Sequence, residues 1–483
     1  MSNTTTPCNP NIESFEFAEV ERIADQQGLT RDEYEKQIVT YMNKFFAIVK
    51  GTTATYIEKV VRSRIRTPTT FELRPRQPEP EVEYIYRNKH GFREAMANKT
   101  IVLRTTQIVQ VRNRTRTIQE EETINLFELW VKSRYRCEFD RLAFTEHHEA
   151  KSFNIFHGLC IDQAELDKYS VDDTEPWLEH IHNIWCRGND EVFDYVIKRL
   201  ALLVQRPFYK SKVALVLTSQ QGAGKGIALA PIQAIFGRYF KVLKPETVFG
   251  PFNDSISDCL VLFLDECTLS GSKKQAAYLK TLITEEKHQI NAKYLPTVML
   301  DNFITLIIST NDQWAAPVEE SDRRYLVLEL DNRYAGKTTQ DIHEYFRKVR
   351  EVPYQAVYKL LMSIDLTGFI PTIYPITEAT RQQKLYTMDS VTAWIHQSLG
   401  EGSQWTTLPT ITQQQLYQDY ETHVKSRGGE YGRKEPFSKF IARLGRVTGV
   451  EREAGTRTTL TIPPAANMKQ TLCKYLNDAD FPI

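Results

Sequence analysis

Residues 213–226 read VALVLTSQQGAGKG. The apolar run 213–218 passes into Ser219-Gln220-Gln221-Gly222-Ala223-Gly224-Lys225-Gly226, and a stretch with helical pattern follows. Strand, glycine loop, helix is the context that a phosphate cradle requires. Glycines let the backbone curl so that successive N–H groups face inward, and the start of the helix adds favourable dipole charge. Lys225 is suited to neutralising β- and γ-phosphates. Two positions depart from the usual loop. Ser219 stands where the first glycine is expected, and Gly226 stands where a hydroxyl residue would help to hold Mg²⁺. Pro231 lies inside the expected helix and should kink it or fix its first turns.

Further along, the same pattern recurs with different chemistry at its end. Residues 260–264, LVLFL, form an apolar strand that ends in Asp265-Glu266. Two carboxylates at the end of a buried strand cost solvation unless they have a role. Beside a phosphate loop, Asp265 is the candidate metal ligand and Glu266 the candidate for polarising an attacking water. A third apolar run, 303–310, ends in Asn311, an amide placed to sense a γ-phosphate or orient the water. Ser321-Asp322-Arg323-Arg324 precedes a fourth run, 325–330. Arginine suits charge that develops on a transferring phosphoryl group, so Arg323 or Arg324 is a candidate finger reaching a neighbouring subunit. Ion pairing with Glu319, Glu320 or Asp322 is the plainer reading of the same residues. Apolar runs alternating with helical stretches from 212 to 330 predict an α/β layered sheet.

This order of motifs resembles superfamily III helicases of the AAA+ class, and is most similar to the helicase half of phage and viral primase-helicases. The likeness rests on 190–207, Gly222-Ala223-Gly224-Lys225-Gly226, Phe252-Asn253, 260–266, 279–285, 309–314 and Asp322-Arg323-Arg324, and covers roughly residues 176–395. It implies an AAA+ P-loop ATPase core that uses ATP and Mg²⁺, a homo-hexameric ring, and translocation on single-stranded or forked DNA. The phosphate loop that it implies is Ser219, Gln220, Gln221, Gly222, Ala223, Gly224, Lys225 and Gly226. In that family a hairpin between the Asp-Glu strand and the Asn strand carries basic residues into the pore. Here that interval holds Lys287-His288 and Lys293-Tyr294, cations beside aromatic neighbours, which suits phosphate contact with base stacking. Relatives often carry a primase domain upstream. Residues 1–175 contain no apolar strand with an Asp-x-Asp pair, so a separate primase or polymerase is the expected partner.

Around this core, residues 1–14 read as a disordered start and 15–160 as an N-terminal α+β domain of unknown role. The core is placed at 176–345, a helical connector at 346–387, and a winged-helix-like domain for DNA or a partner at 388–483. Thr30 and Glu33 form a capping-box pattern for a helix to Met42. Runs at 45–49 and 54–61 flank Lys50-Gly51 as a hairpin, 67–80 is a proline-rich loop or edge segment, 100–110 a strand, and 121–132 an amphipathic helix. Helices are expected at 190–205, 339–364, 412–426 and 436–447, and a strand at 458–462. Alternating Arg62, Arg64 and Arg66, and Arg112, Arg114 and Arg116, put each trio on one strand face. Lys425, Arg427, Arg433, Lys434, Lys439, Arg443 and Arg446 crowd the C-terminal unit.

Composition excludes several classes. With 483 residues the chain can bury a sizeable core without staples. Lys+Arg and Asp+Glu both number 61, so any nucleic-acid contact must come from local clusters. Seven scattered cysteines make no C-x-x-C pair and fit a reducing compartment. No signal pattern and no apolar run near the ~18–20 residues of a membrane span occur, so a soluble intracellular protein is expected. Two other readings compete with a helicase. One is a AAA+ loader or packaging motor that does not unwind, and the other a non-enzymatic DNA-binding or assembly module with a degenerate nucleotide site.

Overall fold

The computed structural model describes residues 14–26, 28–50, 54–64, 79–111, 114–147, 149–267, 273–291, 297–311, 322–426 and 434–483. Its centre is a five-stranded, wholly parallel sheet. In chain order the strands are β1 (Ala214–Thr218), β2 (Phe240–Leu243), β3 (Val261–Leu264), β4 (Thr305–Thr310) and β5 (Tyr325–Glu329). Their spatial order is β2-β3-β4-β1-β5. β1, β3 and β4 are apolar almost throughout because both faces are covered, as parallel sheets require. Leu215, Leu217, Phe263, Ile307 and Leu326 face one core, and Val216, Leu262, Leu264, Ile308 and Val327 face the other. The chain is thus α/β with a parallel sheet. The FKVL segment of β2 was not anticipated: it sits at the sheet edge, and its pattern is short and half-exposed.

On the first face lies the helix Asp190–Gln205. Asn189 caps it by accepting from Val192 N–H, and Asp190 and Glu191 occupy its first turn, where carboxylates favour a helix start. Val192, Tyr195, Val196, Leu200 and Leu203 recur at helical spacing and are buried. The helices Gln340–Glu351 and Tyr354–Ser363 follow β5, so residue 345 falls within a helix and not at its edge. After β1 the chain does not enter a long helix. A 3₁₀ turn, Ile227–Leu229, leads to the seven-residue helix Ala230–Phe236. Pro231 is the second residue of that helix, where its missing N–H is harmless, so it fixes the first turn and makes no kink.

N-terminal to the core, the helix Arg31–Met42 begins with the Thr30/Glu33 capping box. Phe46–Val49 pairs antiparallel with Thr55–Arg64, which pairs with Glu79–Arg87. A second unit is a long ribbon, Thr100–Val111 against Arg114–Asn125. Residues 121–125, expected to be helical, belong to this ribbon, and the helix covers only Leu126–Lys132. Cross-strand pairing overrode the local helical pattern there. Val49, Ile57 and Tyr84 join the same apolar cluster as Leu200 and Leu215, so this region packs directly on the core. Arg66 and Arg112 lie outside the described residues, as do the side chains of Arg62, Arg64, Arg114 and Arg116.

The C-terminal unit runs helix Ser390–Glu401, strand Thr410–Thr412, helices Gln413–Ser426 and Phe437–Thr448, strands Glu451–Arg452 and Thr459–Thr461, then helix Ala465–Tyr475. Its core joins Trp394, Trp405, Leu416, Tyr420, Phe440, Leu444 and Leu460. Its cations differ in freedom. Lys434 pairs with Glu421, and Arg443 with Asp389, whereas Arg446 is exposed. Lys425 is exposed too, and Arg427 and Arg433 lie outside the described residues. Among the described residues no helix is long and apolar enough to cross a membrane.

Candidate functional site

Parallel strands deliver their carboxyl ends to one edge of the sheet, and ligands of open α/β sheets bind outside that edge. The loop 219–226 leaves β1 there, Asp265-Glu266 leaves β3 there, and Asn311 leaves β4 there. β4 lies between β1 and β3, which makes Asn311 the neighbour of both other motifs.

Lys225 ties them together. Its Nζ donates to Ser219 O at 3.2 Å, to Thr310 O at 3.1 Å, and to Asn311 Oδ1. Burial lowers the ammonium's pKa, while Asp265 and Glu266 act in the opposite direction. Asp265 is half-buried and its Oδ1 accepts from Glu266 N–H at 3.1 Å. Glu266 is exposed and has φ of 53°, a left-handed conformation that costs a non-glycine residue about 1–2 kcal/mol. Strain of this kind persists where the surroundings impose it, often at functional sites. Here the bond from Cys267 N–H to Ser309 O at 2.9 Å holds the chain just beyond the bend.

The loop itself is held from two directions. Gln220 N–H donates to Asn332 Oδ1 at 2.9 Å, and a β carbon at Gly222 would stand 3.4 Å from Gly336 N. From the other side come Trp177, whose indole N–H donates to Ala228 O at 2.8 Å, and His180, which contacts Gly224. Nothing in the motif pattern named Asn332, Trp177 or His180. The spacing of Trp177, His180, Ile181 and Ile184 on one helical face was the available signal, since it places a histidine among buried apolar residues.

As to a metal, Gly226 has no hydroxyl to offer. The neighbouring chemistry nevertheless fits a hydrated divalent cation. Leu264 pairs with Ile308, so Asp265 and Ser309 are next in register, and the Ser309 hydroxyl is buried without a hydrogen-bond partner among the described residues.

Arg323 and Arg324 are not at this edge. They precede β5, and Arg324 O accepts from Ala214 N–H at 2.7 Å, where β1 begins. A five-residue strand separates them from the loop, about 16 Å at the usual rise. Arg324 is occupied, its Nη1 lying 3.2 Å from the buried Asp322 carboxylate. Arg323 is exposed and makes no ion pair among the described residues.

Between β3 and β4 the chain forms a two-stranded antiparallel hairpin, Lys287–Ile290 with Val298–Asp301. Asn302 and Asn253 clamp it with buried side chains. Asn302 bonds to Leu282 O and Glu285 O, and Asn253 to Gln289 O and Asn291 N–H. Lys287 is exposed. His288 is half-buried: strand alternation turns it inward, and burial, with Lys210 nearby, pushes its pKa down to about 4. Lys293 and Tyr294 lie outside the described residues.

Residues 217–324 match the model of a family of unknown function (DUF5906), an interval that contains all four motifs. A DNA primase-polymerase of Nitratiruptor phage NrS-1 is 28% identical over 151 residues, which is 29% of this chain and 21% of that protein. The chain thus spans about a fifth of the length of the curated relative it matches. In three dimensions it shares its fold with the C-terminal region of NrS-1. One solved form of that region aligns with a TM-score of 0.51 at 17% identity, covering 77% of this chain and 98% of the other. A second form, spanning residues 305–718, gives a TM-score of 0.51 at 17% identity and covers 88% and 97%.

Proposed function

We propose that this chain is an ATP-dependent DNA helicase of the superfamily III type, acting in replication of a virus, phage or mobile element and hydrolysing ATP between subunits of a hexameric ring. The observation that carries the reading is the Lys225 ammonium, which joins the glycine loop to Asn311 with Asp265 and Glu266 close by. In this reading the sheet is a AAA+ core, with β4 and its Asn311 inserted between the loop strand and the carboxylate strand. The backbone of 219–226 and Lys225 bind the phosphates of ATP. Glu266 orients the attacking water and Asn311 senses the γ-phosphate. Asp265 would hold Mg²⁺ through water, with the Ser309 hydroxyl beside it. The ion would supply charge neutralisation at the phosphates.

The arginines favour a shared site. Arg323 precedes β5, at the end of the sheet opposite its own loop, and it is not engaged by Asp322 as Arg324 is. It is the better finger for the nucleotide of a neighbouring copy. Lys287, with Lys293 and Tyr294, would meet single-stranded DNA at the hairpin. The helix-strand-helix-helix-strand-strand order of 390–461 fits a winged helix, with Arg446 exposed on its third helix. The match to a phage primase-polymerase supports a replication role. Forked DNA and a separate primase or polymerase are the partners that this reading expects.

The test is ATP turnover by the full chain with and without single-stranded DNA, together with unwinding of a forked duplex. Wild type should show DNA-stimulated hydrolysis and strand separation, and Lys225→Ala should lose both. Unchanged hydrolysis in Lys225→Ala would refute the site. Hydrolysis without unwinding would indicate a loader or packaging motor. No turnover at all would favour a degenerate module, the reading that Ser219 and Gly226 motivate.

A further inference from the structure

His180 ends the helix Glu175–His180 and is fully buried. Just after it the backbone widens into a π turn, Ile181–Trp185, closed by a bond from Cys186 N–H to Ile181 O at 2.9 Å. Such turns re-aim neighbouring side chains and are frequent at functional sites. Both ring nitrogens of His180 are engaged. Nδ1 lies 2.9 Å from the Tyr345 hydroxyl, and Nε2 lies 3.2 Å from Gly224 O. A carbonyl oxygen only accepts. Nε2 therefore carries the proton, and Nδ1 accepts from the Tyr345 hydroxyl.

Gly224 is fitted to this imidazole. Its φ is +89°, and a β carbon there would lie 2.8 Å from His180 Cε1 and 2.8 Å from Phe346 Cε1. Its carbonyl accepts from Ile227 N–H at 3.3 Å as well as from His180. What this fixes is the next N–H. A trans peptide is planar, so the Lys225 N–H points opposite to the Gly224 carbonyl. With the carbonyl held toward the His180 helix, the Lys225 N–H is turned to the other side of the loop.

We propose that His180 is a positioning residue for phosphate binding: by donating Nε2–H to the Gly224 carbonyl, it holds the 224–225 peptide so that the Lys225 N–H faces the phosphates of a nucleoside triphosphate. This rests on the nucleotide-site reading above. Tyr345, on the helix after β5, donates to Nδ1 and so supports the tautomer that does so. The segments before and after the sheet thereby meet at one peptide of the loop.

The test titrates a fluorescent ATP analogue into the full chain as wild type, His180→Gln and His180→Leu, with thermal unfolding of the same samples. Glutamine keeps an N–H donor, whereas leucine keeps bulk and removes it. Loss of one hydrogen bond to a loop that must be pre-organised should weaken binding about tenfold in His180→Leu, with most of it restored in His180→Gln. Wild-type affinity in a folded His180→Leu overturns the proposal, and so does an equal loss in both variants, which would mark shape and not donation. Should His180→Leu fail to fold, Tyr345→Phe is decisive: a several-fold loss is expected, and unchanged affinity overturns the idea. Absence of nucleotide binding by wild type would instead sink the site reading itself, and this proposal with it.

Discussion

The Lys225 ammonium donates to the side-chain carbonyl of Asn311, so the glycine loop and the end of β4 are joined by a side-chain bond. A nucleotide that recruits Lys225 to its phosphates must loosen this contact and free the amide. Asn311→Ala should therefore leave ATP binding within a few-fold while hydrolysis falls about a hundredfold, the range seen when a single transition-state contact is removed. Equal losses in binding and turnover would contradict a sensing role.

The two arginines should separate in their effects. Arg324→Ala strips the buried Asp322 carboxylate of its cation and should cost about 1–3 kcal/mol in unfolding free energy. Arg323→Ala should leave the melting transition unchanged and abolish hydrolysis while ATP still binds. Mixing Arg323→Ala with Lys225→Ala subunits should restore part of the activity, since each supplies what the other lacks. No restoration would argue against an intersubunit site.

Gly224→Ala should be more harmful than a glycine change elsewhere in the loop. It imposes a left-handed φ on alanine and drives the new carbon against the His180 and Phe346 rings. Expected are a loss of roughly 2 kcal/mol or more in stability and of detectable nucleotide binding. Equilibrium unfolding and ligand titration measure the two separately.

Acid should weaken the fold through His180 and His288. Burial holds both well below the ordinary histidine value, each at about 4. The groups nearest His180 are the Tyr345 hydroxyl and the Gly224 carbonyl, with Glu179 acting on Tyr345, and Lys210 is the charge beside His288. Between about pH 4 and 6.5 the unfolded chain binds these protons and the folded chain does not. Stability is thus complete above 6.5 and falls as pH drops toward 4, by at most about 3 kcal/mol per histidine. Chemical denaturation across that range should show the slope, and His288→Gln should remove one share of it.

At the hairpin, Lys287→Ala should weaken binding of single-stranded DNA several-fold and reduce its salt dependence, as loss of one phosphate contact does. His288→Ala should instead lower stability with little direct effect on DNA. Fluorescence anisotropy at two salt concentrations distinguishes them.

The sequence by itself determined the strands β1, β3, β4 and β5 and which residues stand at their ends. Fully buried parallel strands are continuous apolar runs, and Gly222-Ala223-Gly224-Lys225, Asp265-Glu266 and Asn311 stand where such runs stop. Local pattern also sufficed for the Thr30 cap and for the helix Asp190–Gln205. It did not suffice for residues 121–125, where pairing with 100–104 outweighed helical spacing, nor for the half-burial of His288 within the hairpin. Only the tertiary structure decided that β4 lies between β1 and β3, and that Arg323 and Arg324 sit at the far end of the sheet from the loop. The same holds for His180, which reaches Gly224 across 44 positions of chain. These are relations between distant segments, set by which apolar faces pack together, and no local spacing carries them.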